Sequence, residues 1–147
     1  MGDVIVPLKV RSYGRKRSGS VRAYFDTGAP YSFISKDVGL KMGRPLKLDV
    51  PQHFTGLGNG GFDAAHILNL EVQLKGFWCP HVFFVLDRAV IDDYALVGHD
   101  FMQKFGITVN PKRHSIAIDE ASIRHAQKIR GVDDVLVNKR VTRLILK

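Results

Sequence analysis

The sequence predicts an all-β fold, and two observations support it. Apolar residues recur at every second position, as in Val4, Val6, Leu8 and Val10 and again in Leu68, Leu70, Val72 and Leu74, the period of a strand with one buried face. Between such runs stand clusters of Gly, Pro, Asn and Asp, which reverse a strand. A third observation concerns chemistry: one apolar run ends on a carboxylate, in Ala23-Tyr24-Phe25-Asp26-Thr27-Gly28-Ala29. An aspartate at the edge of a buried strand costs folding free energy unless it is hydrogen-bonded or shares a proton, so Asp26 calls for an explanation.

The elements follow in order. Val4 to Val10 reads as a strand near a sheet edge, because Pro7 cannot donate to a ladder. Gly14 and Gly19 bracket a turn, and Val21, Ala23 and Phe25 alternate in a second strand that delivers Asp26 to its end. Ser35 is placed to cap a short helix ending at Gly43, and Leu46, Leu48 and Val50 alternate again. Gly56-Leu57-Gly58-Asn59-Gly60-Gly61 has the form G-x-G-x-x-G, but a strand pattern follows instead of the helix that a dinucleotide site requires. The glycines are instead the tip of a long hairpin, able to approach a ligand closely. A further apolar strand, His81 to Leu86, leads to Ala95-Leu96-Val97-Gly98-His99-Asp100, with Asp100 as cap of a helix from Phe101 to Phe105 that Gly106 stops. Asn110-Pro111-Lys112-Arg113 turns between two short strands, and Ile123, Ala126 and Ile129 line a short helix up to Gly131.

With 147 residues, the chain holds one core and lacks room for two full lobes. Its apolar runs are far short of a membrane span, no signal-peptide core is apparent, and Cys79 is the single cysteine, so a cytoplasmic protein without membrane contact or disulfides is expected. The net charge of +8 is uneven: Lys9, Arg11, Arg15, Lys16, Arg17 and Arg22 form one acid-free basic run, and residues 121–147 form a basic extension. Such segments maintain solubility and offer weak contact with nucleic acid, but no base-reading motif accompanies them.

Phe25-Asp26-Thr27-Gly28-Ala29, then a glycine-rich hairpin, then Leu96-Val97-Gly98-His99-Asp100-Phe101 resembles the retropepsin-type aspartic proteases. The likeness runs from Val4 to Ile118, and its layout is nearest to the retroviral-protease-like domain of DNA-damage-inducible proteins. It implies a closed all-β barrel with one short helix after the second motif, working as a two-fold homodimer. The protease domain would span residues 1–120; the basic extension 121–147 lies past the matched region, where it either associates with the dimer, by forming or covering its sheet, or binds something else. By the same resemblance, Asp26 is catalytic, Thr27 braces the loop across the dimer axis, and Gly28 and Ala29 meet the substrate backbone. Leu96, Val97 and Gly98 would support the aspartate loop, while Leu57, Gly58 and Asn59 would form a flap tip closing on an extended peptide.

Charge physics gives the dimer requirement independently. Two carboxylates held close together share one proton, and the charged member can then act as a base toward water. A chain with one such motif and no second lobe obtains its partner carboxylate from another copy, which a two-fold axis supplies. Viral relatives carry an acid after the alanine and an arginine after the later glycine; this chain has Pro30 and His99 there. The dimer is therefore braced differently, and His99 is a candidate partner for Asp100 or a carboxylate of the second copy.

Other chemistries fare worse. The six histidines form no His-x-x-x-His pair, Cys79-Pro80-His81 is a poor ligand set, and no Gly-x-Ser-x-Gly elbow is present. Neither metal nor cofactor is expected. Phe33, Phe54, Phe62, Trp78, Phe83 and Phe84 are assigned to the core and the cleft wall. Two rivals remain beside the endopeptidase: a retropepsin-like module without turnover that dimerises or binds peptides, and a basic nucleic-acid-associated protein.

Overall fold

The computed structural model describes residues 4–13, 18–56 and 60–126. In chain order these form β1 (Val4–Ser12), β2 (Ser18–Phe25), β3 (Phe33–Ser35), α1 (Lys36–Met42), β4 (Leu46–Thr55), β5 (Gly61–Leu74), β6 (Phe77–Leu86), β7 (Ala95–Val97), α2 (His99–Phe105), β8 (Ile107–Asn110) and β9 (Ser115–Ile118). Seven strands run in the order β1-β2-β7-β3-β6-β5-β4, and β1 also pairs with β5, so six of them close into a barrel and β4 lies outside on β5. The fold is all-β with short helices. Among the described residues, no helix is long and apolar enough to cross a membrane.

In β1, β2 and β5 the alternation seen in the sequence sets which faces point inward, whereas in β4 the alternating Leu46 and Val50 are exposed, because that strand lies outside the barrel. In the β1–β2 hairpin, Val4 lies opposite Phe25 and Leu8 opposite Val21, and these four side chains are buried in the barrel. Among the described residues, Pro7 falls where β1 is paired on one side, with β2 alone; Pro80 lies likewise in a stretch of β6 paired only with β5. Neither proline removes a ladder bond from a strand flanked on both sides. Closure comes from Val10, Arg11 and Ser12 facing Val72, Glu71 and Leu70. At that seam, Arg11 Nε lies 3.1 Å from Glu71 Oε1, and the guanidinium stacks 4.0 Å over the Trp78 ring, a charge pair sheltered by an aromatic face.

Several local expectations need correction. Ser35 occupies the position before α1, but its side chain makes no capping bond, and its buried hydroxyl has no hydrogen-bond partner among the described residues. Ser35→Ala is therefore expected to leave the melting temperature unchanged or raise it, since it removes a desolvated polar group; a loss above about 1 kcal/mol in calorimetry would show the hydroxyl to be partnered. Strand β6 starts at Phe77, ahead of His81, because Lys75 and Gly76, at φ 51° and 82°, turn the chain tightly between β5 and β6. Asp100 is not the cap of the helix after the second motif: Gly98 holds that position and α2 begins at His99.

The turn at Asn110 is as expected, with Asn110 Oδ1 accepting from Arg113 N–H at 3.3 Å. Beyond it, a helix covers 120–126, started by Asp119, whose carboxylate accepts from Ala121 N–H and Ser122 Oγ–H. Ile123 from this helix is fully buried in the barrel core and Ala126 packs against it. Ile129 and the rest of the basic extension, like Arg15, Lys16 and Arg17, lie outside the described residues.

Two apolar clusters result. The larger fills the barrel and includes Phe25, Leu68, Leu70, Phe83, Phe101 and Phe105. The second, with Phe33, Phe54, Phe62, Ile91 and Leu96, lies where the β4–β5 hairpin folds over the barrel. Fully burying one such side chain stabilises the fold by about 1.5–3 kcal/mol. Cys79 is buried too, and burial pushes its thiol up to about 11, so it behaves as a small apolar residue.

Candidate active site

Asp26 directly follows β2, and its position is fixed by β7. Strand β7 runs parallel to β2, with Phe25 beside Val97, and Asp26 N–H donates to the Val97 carbonyl at 3.0 Å. The turn then closes on itself. Gly28 N–H donates to Asp26 Oδ1 at 2.9 Å, and Ala29 N–H donates to the Asp26 carbonyl at 3.1 Å. The carboxylate is thus aimed by its own loop, while Thr27 and Gly28 remain exposed.

The second motif locks onto the first. Leu96 and Val97 are buried; beyond them His99 N–H donates to the Ala29 carbonyl at 2.6 Å and Asp100 N–H to that of Pro30 at 3.2 Å. Gly98 is needed for space, since a Cβ there would meet the Tyr31 and Ala29 carbonyl oxygens. Its N–H donates to Ser32 Oγ at 3.0 Å, and Ser32 Oγ–H donates to Asp100 Oδ1 at 2.8 Å.

Asp26, Gly28, Ala29 and Pro30 border a cavity of about 110 Å³, with Phe33 and Leu96 beside them and Phe54, Thr55, Gly56 and Phe62 from the β4–β5 hairpin opposite. Leu96 therefore faces the cavity as well as packing behind the loop. Phe54 stands edge-on to Phe33, with ring centroids 5.0 Å apart, and stacks on its cross-strand neighbour Phe62 at 5.6 Å. These rings join the hairpin to the barrel floor. The expected tip residues Leu57, Gly58 and Asn59 lie outside the described residues. On either side of them, Gly56 and Gly60 take φ of 113° and 105°, conformations glycine adopts without strain.

Asp100 has a different partner from the one expected. Its Oδ2 lies 2.9 Å from Nε2 of His81 on β6, while His99 is exposed. Burial pushes the Asp100 carboxyl up, but hydrogen bonds from His81 and Ser32, the charge of His81 and the Phe101 N–H outweigh it and hold the group below its usual range. A folded-state pKa below the unfolded one gives stability that is complete above the unfolded value near about 3.9 and is lost as pH falls through the folded value. Asp100→Asn is accordingly expected to flatten the acid end of a plot of urea midpoint against pH below about 4; an unchanged slope would show that the carboxylate contributes nothing there.

Sequence reasoning missed this Ser32–Asp100–His81 cluster. Its available signal was Ser32, a polar residue between Tyr31 and Phe33 that turns out fully buried. Among the described residues, no group of three His, Cys, Asp or Glu is placed to hold a metal ion.

No protein-family model matches the chain, and neither does any curated protein. Solved structures do. The retroviral protease-like domain of Ddi1 from Leishmania major aligns with a TM-score of 0.56 and 18% identity, over 82% of this chain and 90% of that one. EIAV protease, in complex with the inhibitor HBY-793, aligns with a TM-score of 0.55 and 16% identity, over 72% of this chain and 90% of that one. The fold is therefore retropepsin-like, as the sequence resemblance implied.

Proposed function

We propose that this chain is an aspartic endopeptidase that works as a homodimer, with Asp26 of each copy forming one dyad. The supporting observation is the Asp26 carboxylate, held by Gly28 N–H at the border of an aromatic-walled cavity under a glycine-flanked hairpin. Thr27 and Gly28 are exposed in the single chain, which leaves their side of the loop free for a second copy. The two aspartates share one proton. The charged carboxylate takes a proton from water as the oxygen attacks a peptide carbonyl, and its partner gives a proton to that carbonyl oxygen; the resulting diol then collapses, the C–N bond breaking as the amine nitrogen takes a proton from the dyad and a diol hydroxyl returns one, so no covalent enzyme intermediate forms.

The remaining roles are those the family resemblance implies. Thr27 braces the paired loops, Gly28 and Ala29 line the path of the substrate backbone, and Leu96, Val97 and Gly98 hold the loop from behind. Leu57, Gly58 and Asn59 close over an extended peptide through strand-like backbone hydrogen bonds. The test is cleavage of a mixed pool of unstructured peptides, read by mass spectrometry between about pH 4 and 7 and over a range of enzyme concentrations. Specific activity that rises on concentration supports a dimeric enzyme, because only paired chains carry a complete site. A demonstrable dimer without any cleavage would reassign the chain as a peptide-binding or dimerisation module.

A further inference from the structure

We propose that His81 is a positioning residue for the aspartate loop, acting through Asp100 and Ser32; the inference rests on the protease reading for its effect on turnover, but not for its effect on the loop. His81 belongs to β6, outside both motifs. Its side chain is only 9% exposed and is held edge-on by Phe83 and Phe101, with ring centroids 5.4 and 5.0 Å away.

The chain of contacts is short and directional. Nε2–H of His81 donates to Asp100 Oδ2 at 2.9 Å, a bond that either the protonated imidazole or its Nε2–H tautomer can make. Asp100 Oδ1 accepts from Ser32 Oγ–H at 2.8 Å and from Phe101 N–H at 2.8 Å. An ionised carboxylate only accepts, so the single Ser32 proton points to Asp100 and the Ser32 oxygen is left to accept from Gly98 N–H at 3.0 Å. Gly98 in turn follows Val97, whose carbonyl holds Asp26 N–H. His81 thus satisfies the Asp100 oxygen that the loop itself leaves open. Without it the carboxylate is free to rotate or take a proton, and the Ser32 hydroxyl loses its fixed direction.

The test compares His81→Leu with His81→Gln in the full chain, at enzyme concentrations that saturate activity. The Gln side-chain N–H reaches toward Asp100 as Nε2–H does, whereas Leu offers no donor. The expected result for Leu is a fall in kcat of about 10- to 100-fold with KM changed by less than about threefold, as for a misplaced catalytic group. Amide hydrogen exchange at Gly98 and His99 should speed up while exchange at Leu70 and Val72 stays slow, and Gln should restore most of both signals. If Leu prevents folding, His81→Asn, whose amide stops short of Asp100, replaces it. Unchanged kcat in a folded Leu or Asn variant, or slow Gly98 exchange despite the loss of the donor, would overturn the proposal. If the wild-type protein cleaves nothing, the protease reading fails, and exchange at Gly98 alone decides whether His81 holds the loop.

Discussion

Asp26→Asn is expected to lower kcat by on the order of 10²- to 10⁴-fold, the contribution typical of a positioned acid–base group, while leaving the fold intact. The amide oxygen of Asn can still accept from Gly28 N–H, which now donates to Asp26 Oδ1 at 2.9 Å, and the bond from residue 26 N–H to the Val97 carbonyl involves backbone alone. The loop therefore keeps its shape. An amide cannot take a proton from water at these pH values, so the variant lacks the base. Mixing provides a sharper check. With equal amounts of wild-type and variant chains at a fixed total chain concentration, random pairing leaves about a quarter of the dimers with two carboxylates, and activity should fall toward a quarter of that of wild type alone at the same total concentration. Cleavage that persists in the pure variant, with circular dichroism matching wild type, would refute the dyad; activity that falls only to half on mixing would refute a shared site.

Gly98→Ala is expected to be the most damaging single-methyl change. Gly98 has φ of −96°, which any residue adopts, so the cost is not conformational. The obstacle is space: a Cβ would meet the carbonyl oxygens of Tyr31 and Ala29, backbone atoms that cannot swing aside. Relief requires separating the two motifs, which breaks the Gly98 N–H bond to Ser32 and the His99 N–H bond to Ala29. A loss of about 3 kcal/mol, the upper part of the range for overpacking, is expected. Urea denaturation measures it; a loss below about 1 kcal/mol would mean that the loops have slack.

Where local chemistry decides an element, the sequence was readable. Alternation in β1, β2 and β5 identified the strands and their buried faces, and Asp26-Thr27-Gly28 identified the loop because a carboxylate after Phe25 conflicts with burial. Contacts made across the barrel were not readable. The Arg11–Glu71 seam joins residues with no shared period, and the Lys75-Gly76 turn depends on a lysine at φ 51°, which no turn rule favours. Asp100 misled for a related reason. Aspartate before a helix is a strong cap signal, but α2 starts at His99, two residues earlier than expected, and the carboxylate is engaged by Ser32 and His81, residues from two other parts of the chain.

The placement of β7 between β2 and β3 also bears on when a site can exist. Residues Ala95 to Val97 must pair beside Phe25 and Phe33, which are synthesised far earlier, so the pocket around Asp26 cannot form before β7 has left the ribosome. Contacts of such wide sequence separation close slowly, after the local hairpins have formed. A nascent chain that has not yet released Val97 and Gly98 has the aspartate but nothing behind it. Assembly order thus delays the pocket until the barrel is complete.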